Sequence, residues 1–275
     1  RVRIVPSSFF DAPAPVRDET VAGEGLTVSP SPPVARVGQV TVSIISHGHG
    51  ALIDSLLSDL ATHCAADISV ILTYNIPEAT SPAAANLPFP VKVIRNASPT
   101  GFGANHNAAF TECANAYFCV LNPDVRLDGN PFPALVAELV AANVGVAAPK
   151  IMSPTGAIED SARRFPTSGF LVRKLFGQTS GLDYEIGQAT ISPDWVAGMF
   201  MLFRAPVFAE LHGFDERYFL YYEDVDLCRR LRKHGYDVRL VPSVRVVHDA
   251  RRDSHRSLRH LRWHLASLLR FLFSR

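Results

Sequence analysis

No apolar run in the chain reaches the roughly 18 residues that span a bilayer as a helix, so a transmembrane helix is not expected. The opening residues, Arg1-Val2-Arg3, lack the apolar stretch of a secretory signal. Cysteine is sparse. Cys64, Cys113, Cys119 and Cys228 are scattered, with no Cys-x-x-Cys and no His/Cys spacing of a zinc site. Reduced thiols and a cytosolic compartment are therefore expected. Neither sign of charge is in excess. The formal net charge is +1, so nothing points to a nucleic-acid partner. No internal repeat is visible. What is present is apolar content: 47% of 275 residues, enough to bury one large core or two small ones.

Residues 1–36 are rich in Pro, Ala and Ser and read as an extension or linker. Val40 to Ser46 is β-branched and bounded by Gly, as in a buried strand, and His47-Gly48-His49-Gly50 makes a turn. Leu52, Leu56, Leu57 and Leu60 recur at helical spacing. Further strands are expected at 68–73, 91–95 and 117–121, with a helix over 104–116 opened by Gly101-Phe102-Gly103. A helix at 133–143, a strand at 145–148, an irregular stretch at 153–193 and an apolar strand at 195–203 follow. Residues 237–248 read as a hairpin interrupted by Pro242. Strands alternating with helices predict an α/β fold with a mainly parallel sheet. Ligands of such sheets sit beyond the carboxyl ends of the strands. Ser46, His47, Asn75, Asn96 and Asp124 all fall at those ends.

In the stretch from Gly213 to Gly235 four acids, Asp215, Glu216, Glu223 and Asp224, flank Tyr218, Phe219, Tyr221 and Tyr222. A helical pattern starts at Glu223 and stops at Gly235. An acid pair at a helix start beside aromatics suits general-base work on a ring-shaped substrate. It equally suits plain capping of an amphipathic helix, because the positive end of the helix favours anions. The tail, 251–275, carries Leu258, Leu261, Leu265, Leu268 and Leu272 on one stripe, and from Arg245 onward there are eight Arg against Asp249 and Asp253. Such a helix can lie on an anionic membrane, or it can pack on the domain or on a second copy in a homodimer.

Taken in order, Asn96-x4-Gly101-Phe102-Gly103-x3-Asn107, Asn122-Pro123-Asp124, Asp194-Trp195-Val196-x-Gly198, the segment Gly213 to Leu227 and a strand ending in His248 resemble the family-two glycosyltransferases, in particular their rhamnosyltransferase-like branch. The resemblance covers residues 40–250. It implies a GT-A fold, a nucleotide-diphosphate sugar donor, a glycan or lipid-linked glycan acceptor, a divalent metal (Mg or Mn) and inversion at the anomeric carbon. On this likeness residues 37–150 bind the nucleotide sugar, 151–250 bind the acceptor and carry catalysis, and 251–275 form a basic amphipathic helix. The compartment implied is the cytoplasm, with peripheral attachment to the inner face of the membrane.

The residue roles follow from the likeness one at a time. Asp124 and His248 would ligate the metal. Asp224 would be the base, and Glu223 would orient it or bind the acceptor. Ser46, His47, Asn75, Asn96, Gly101, Phe102, Gly103, Asn107, Asn122 and Gly198 would surround the donor, and Trp195 would stack on the acceptor. Gly101 and Gly103 would let backbone approach a ligand closely. The chain departs from the family in two places. Asn122 replaces the first acid of an Asp-x-Asp element, and Tyr74 stands where relatives read the base with Asp. Asn75, Glu78 or a stacked Tyr74 could take over that task. A sugar-phosphate nucleotidyltransferase would need a basic Gly-rich loop after the first strand, which His47-Gly48-His49-Gly50 is not. A non-catalytic glycan-binding relative is the other alternative.

Overall fold

The computed structural model describes residues 40–66, 68–166, 181–249 and 258–274. The expected extension over 1–36 and the start of the basic tail, 251–257, lie outside the described residues. Four strands, β1 (Val40–Ser46), β2 (Ile68–Tyr74), β3 (Val91–Arg95) and β4 (Tyr117–Leu121), pair in parallel in the order β3-β2-β1-β4. The sheet continues from β4 through β9 (Phe200–Arg204), β6 (Val144–Met152), β10 (Asp237–His248) and β5 (Val125–Arg126). β6 and β10 are parallel, while β9 and β5 run against their neighbours. A separate ribbon joins β7 (Ala162–Arg163) to β8 (Trp195–Val196). The α/β expectation is met.

The period of two along each strand sorts side chains into two cores. Val40, Val42 and Ile44 of β1, with Cys119 and Leu121 of β4, meet Leu56, Leu57 and Leu60 of α1 (Gly50–His63) and Leu135 and Leu139 of α3 (Phe132–Leu139). Phe118 and Val120 of β4 and Met201 and Phe203 of β9 point the other way. There they meet Phe208 of α4 (Ala205–Glu210) and Leu227 and Leu231 of α5 (Glu223–Lys233). Each such fully buried side chain contributes about 1.5–3 kcal/mol of burial free energy. Among the described residues there are also α2 (Phe102–Phe110), shorter than the 104–116 expected, and α6 (Leu258–Phe273).

Two sequence expectations need correction. Residues 237–248 are one strand and no hairpin. Val241 opposes Pro149, yet Arg245 opposes Lys150, so Pro242 sits in a bulge where its missing N–H is harmless. The apolar run 195–203 is two strands, β8 and β9, broken at Ala197, Gly198 and Met199. That break brings Gly198 to the site described next.

Candidate active site

One cavity of about 470 Å³ opens at the carboxyl ends of β1, β2 and β4, and His47, Asn75, Phe102, Asn122 and Asp124 are among its walls. Its rim is held by an amide network. Asn75 Oδ1 accepts from the Thr100 N–H at 2.9 Å and from Asn96 Nδ2 at 2.8 Å. Asn75 Nδ2 donates to the Thr100 carbonyl at 3.0 Å, and Asn96 Nδ2 also reaches Asn105 Oδ1 at 2.7 Å. Asn96 and Ser46 therefore brace the rim from behind. Ser46 is buried, and its hydroxyl donates to Glu78 Oε2 at 2.9 Å, while Glu78 Oε1 takes the Gly48 N–H at 3.0 Å. Tyr74 is buried as well. Its hydroxyl accepts from the Ser81 N–H at 2.8 Å, and Arg95 lies over its ring at 4.5 Å. It is not available to stack on a base.

Sequence reasoning missed His106 in this cavity. Its Nδ1 lies 2.8 Å from Ser43 Oγ, its ring packs on Phe102 at 4.5 Å, and its buried Nε2 has no hydrogen-bond partner. Complete burial pushes its pKa down to about 3, so the ring stays neutral. The signal was weak: a lone His inside a helix that also carries two asparagines.

Asp124 follows the end of β4, and His248 ends β10. His248 Nε2 lies 3.3 Å from Asp124 Oδ2, and His248 Nδ1 lies 2.8 Å from Glu159 Oε2. Burial opposes charge on His248, but the two carboxylates outweigh it and raise its pKa. Asp124 Oδ1 is buried without a partner. Among the described residues no three His, Cys, Asp or Glu side chains form a metal cage on their own. A carboxylate oxygen left open beside an imidazole nevertheless fits a hard divalent cation that takes its other oxygens from phosphate and water.

A second cavity, of about 210 Å³, is lined by Glu223, Asp224, Trp195, Arg163, Arg164 and Tyr222, among others. Asp224 is half-buried at the start of α5. Its Oδ2 accepts from the Gly198 N–H at 2.9 Å and its Oδ1 from the Val225 N–H at 2.8 Å. Burial raises its pKa against these hydrogen bonds. Glu223 is buried, its Oε2 has no partner, and burial together with the Asp224 charge raises its pKa well above the usual range. Both acids are thus pushed up, and the pair resists carrying two charges at once. Trp195 donates its Nε1–H to the Arg164 carbonyl at 2.9 Å, and Arg163 lies over its ring at 5.6 Å. Asp194 holds this segment through the Phe165 N–H at 2.8 Å.

A buried carboxyl with a raised pKa destabilises the fold as it ionises. Stability is therefore lost as pH rises from the ordinary glutamate range through the folded value. Glu223→Gln removes that loss. Its thermal midpoint relative to the parent chain is expected to climb as pH rises above the ordinary glutamate range, read by thermal denaturation. A difference that does not change with pH would contradict the buried-charge account.

The two acids, Asp124 and Asp224, do not share one cleft. Their cavities are neighbours divided by a thin wall. The Gly198 N–H binds Asp224, and the next residue's carbonyl, Met199 O, accepts the Asn122 N–H at 2.9 Å. A Cβ on Gly198 would stand 3.4 Å from the Phe102 ring on one side and 3.6 Å from Asp224 Oδ2 on the other. The glycine expectation at 101 and 103 also changes. A Cβ on Gly101 would sit 2.7 Å from the Phe219 carbonyl oxygen, and one on Gly103 would sit 2.7 Å from Phe214 Cβ. These glycines admit the acidic segment. Asn107 lines neither cavity. Its amide clamps that segment through the Phe214 N–H at 2.9 Å, the Phe214 carbonyl at 2.8 Å and Glu216 at 3.0 Å.

α6 spans both cavities: Arg259, His260 and Trp263 line the first, and His264 the second. Trp263 stacks on Phe219 at 4.8 Å, the Tyr221 hydroxyl is 3.0 Å from His260 Nδ1, and the Ser267 hydroxyl donates to the Leu220 carbonyl at 2.9 Å. Tyr221 and Tyr222 adopt left-handed backbone angles, φ 71° and 68°, immediately before the acid pair. The expected leucine stripe does not make this contact. Ser267 and Phe271 are buried, whereas Leu261, Leu265 and Leu272 are exposed. The side chain of Leu258 lies outside the description.

Known proteins resemble this chain in sequence and in fold. The family model described as "Glycosyltransferase like family 2" matches residues 38–266. Rhamnosyltransferase WbbL of Escherichia coli (strain K12) is 30% identical over 184 residues, 62% of this chain and 70% of the relative. The N-acetylglucosaminyl-diphospho-decaprenol L-rhamnosyltransferase of Mycobacterium tuberculosis (strain ATCC 25618 / H37Rv) is 28% identical over 257 residues, 85% of this chain and 84% of the relative. Among solved structures, GalNAc-T7 with UDP, GalNAc and Mn2+ superposes with TM-score 0.67 at 14% identity. The match covers 86% of this chain and 48% of that one, so the chain spans about half the length of that protein. The mannosyltransferase PcManGT from Pyrobaculum calidifontis, solved with GDP-Man and Mn2+, gives 0.59 at 16% identity over 84% and 64%. These likenesses show the GT-A fold. With the family model covering most of its length, the chain belongs to the glycosyltransferase-like family 2.

Proposed function

We propose that the chain transfers a sugar, rhamnose as the first choice, from a nucleotide-diphosphate donor to a hydroxyl of a lipid-linked glycan, with inversion. The observation that carries this reading is the half-buried Asp224 at the wall of a cavity that also holds Trp195 and two arginines. In the forward step the acceptor oxygen bonds to the anomeric carbon and the bond from that carbon to the diphosphate oxygen breaks. The nucleotide diphosphate leaves with the electron pair, and Asp224 takes the hydroxyl proton. Glu223, buried beside it, orients Asp224 or binds the acceptor. The donor occupies the larger cavity, where the Asn75 and His47 rim and the neutral His106 meet the nucleotide. Asp124 and His248 would hold a divalent cation, Mg2+ or Mn2+, that would offset diphosphate charge.

Arg163 and Arg164 line the acceptor cavity, so we assign them to an anionic acceptor. Arginine forks suit phosphate oxygens. The mycobacterial relative's name specifies a sugar carried on a diphospho-lipid, and such an acceptor fits here. The enzyme then works in the cytoplasm at the inner face of the membrane that carries its acceptor. No helix among the described residues is long and apolar enough to cross that membrane.

The test is donor turnover. Asp124→Ala is expected to lower metal-stimulated transfer from dTDP- and UDP-sugars by about 10²-fold or more, and to remove the shift in thermal midpoint that donor plus Mn2+ gives the parent chain. Unchanged metal stimulation in Asp124→Ala would defeat the assignment. Absence of transfer across the donor panel by the parent chain would defeat the function.

A further inference from the structure

We propose that the outer face of α6 is a docking surface for an anionic lipid bilayer. The inner face of this helix is already committed. Trp263, His264, Ser267 and Phe271 hold it on the 218–222 segment, and Arg229 donates to the Phe271 carbonyl at 3.1 Å. The opposite side carries Leu261, Leu265, Leu269, Leu272 and Phe273, each between 39% and 82% exposed. At 3.6 residues per turn the four leucines share one stripe about 100° wide. Arg262, exposed, borders it, exposed Arg259 and Arg270 lie further round the same side over the Trp263 and Tyr218 rings, and α6 contains no acid.

That charge pattern decides between occupants. Pairing with a second copy through this stripe would bring two sets of arginines together with no carboxylate on the helix to offset them. An anionic headgroup layer meets the arginines, and its acyl boundary takes the leucines. The stripe is exposed well beyond the scattered single apolar residues that soluble surfaces tolerate. Docked this way, the helix lies flat, and the residues of its inner face that line both cavities stand just above the headgroups. The lipid contact is read from α6 alone. It rests on the transferase reading only for what the orientation achieves, namely delivery of a membrane-borne acceptor to Asp224.

The experiment is co-sedimentation of the full chain with vesicles of phosphatidylcholine, or of phosphatidylcholine mixed with phosphatidylglycerol. These vesicles carry neither donor nor acceptor, so the result is independent of sugar transfer. The parent chain is expected to partition onto the mixed vesicles and to be released by salt. The triple variant Leu261→Ser, Leu265→Ser, Leu269→Ser should lose at least about tenfold in partition. The variant Arg262→Glu, Arg270→Glu should lose roughly fivefold or more per arginine on mixed vesicles, with little change on phosphatidylcholine. Both should transfer sugar to a water-soluble acceptor at the parent rate. No partition of the parent chain onto either vesicle overturns the proposal, as does parent-like partition of the triple variant. A stable dimer in sedimentation velocity that the triple variant converts to monomer assigns the stripe to a second copy and overturns it too.

Discussion

Asp224→Asn is expected to lower the rate of sugar transfer by about 10²–10⁴-fold while leaving donor affinity within roughly twofold. The two effects separate because the acid and the donor rim sit on opposite sides of the Gly198 and Phe102 wall. Both carboxylate oxygens of Asp224 accept backbone N–H groups. An amide keeps the shape but turns one of those acceptors into a donor, and it removes the proton acceptor altogether. The parent enzyme should also lose activity as pH falls, because the base must be ionised. Burial raises the Asp224 pKa, so this acid limb lies above the range of a free aspartate. Its midpoint belongs to the Glu223–Asp224 pair rather than to either residue alone. Initial rates across pH for parent and variant check both statements. Parent-like turnover in Asp224→Asn would remove it from the chemistry.

Asp226→Ala is expected to be the most destabilising single change in this region, by about 3–5 kcal/mol. For a chain of this size that is a fall of roughly 6–20 °C in thermal midpoint. Asp226 is buried one turn into α5, and its two oxygens hold Arg229 and Arg230 at 2.8 Å each. Arg230 carries the grip on to the Leu211 and Gly213 carbonyls at 2.6 and 2.7 Å. Arg229 carries it to the Phe271 and Ser274 carbonyls at 3.1 and 3.0 Å. Truncation strands two guanidinium groups, and it loosens α6 as well as α5. Hydrogen exchange should show faster opening of residues 258–274 in the variant, and Asp226→Asn should lose less. A midpoint within a degree or so of the parent for Asp226→Ala would show that the arginines are held well enough by the carbonyls alone.

Much of this was legible in the chain. The β-branched runs at 40–46 and 68–73 gave two of the strands, and three of the residues read at strand ends, His47, Asn75 and Asp124, do meet in one cavity. The Glu223–Asp224 pair does open a helix beside aromatics. What could not be read was pairing at long range. Gly101 and Gly103 look like ligand glycines until Phe219 and Phe214, more than a hundred residues later, come to rest on them. Pro242 looks like a turn until β6 supplies a partner around which a bulge can form. Local spacing marks a leucine stripe on α6 without saying whether it packs on the domain or faces outward. Trp263, Ser267 and Phe271 make the packing face, because the aromatics at 218–222 offer them rings and a carbonyl. Tyr74 was misread for the same reason, since its depth depends on Ser81 and Arg95.

Left-handed torsion at two successive tyrosines has a cost of about 1–2 kcal/mol per residue. Nothing in the local sequence offsets it, because neither position is glycine. The offset comes from downstream, where Tyr221 meets His264 at 5.4 Å and Tyr222 meets Phe271 at 5.7 Å. The posture of the proton acceptor is thus set by a helix that begins more than thirty residues after it. A molecule cut short before that helix would retain every signature by which its family is recognised, yet lack the scaffold that aims them.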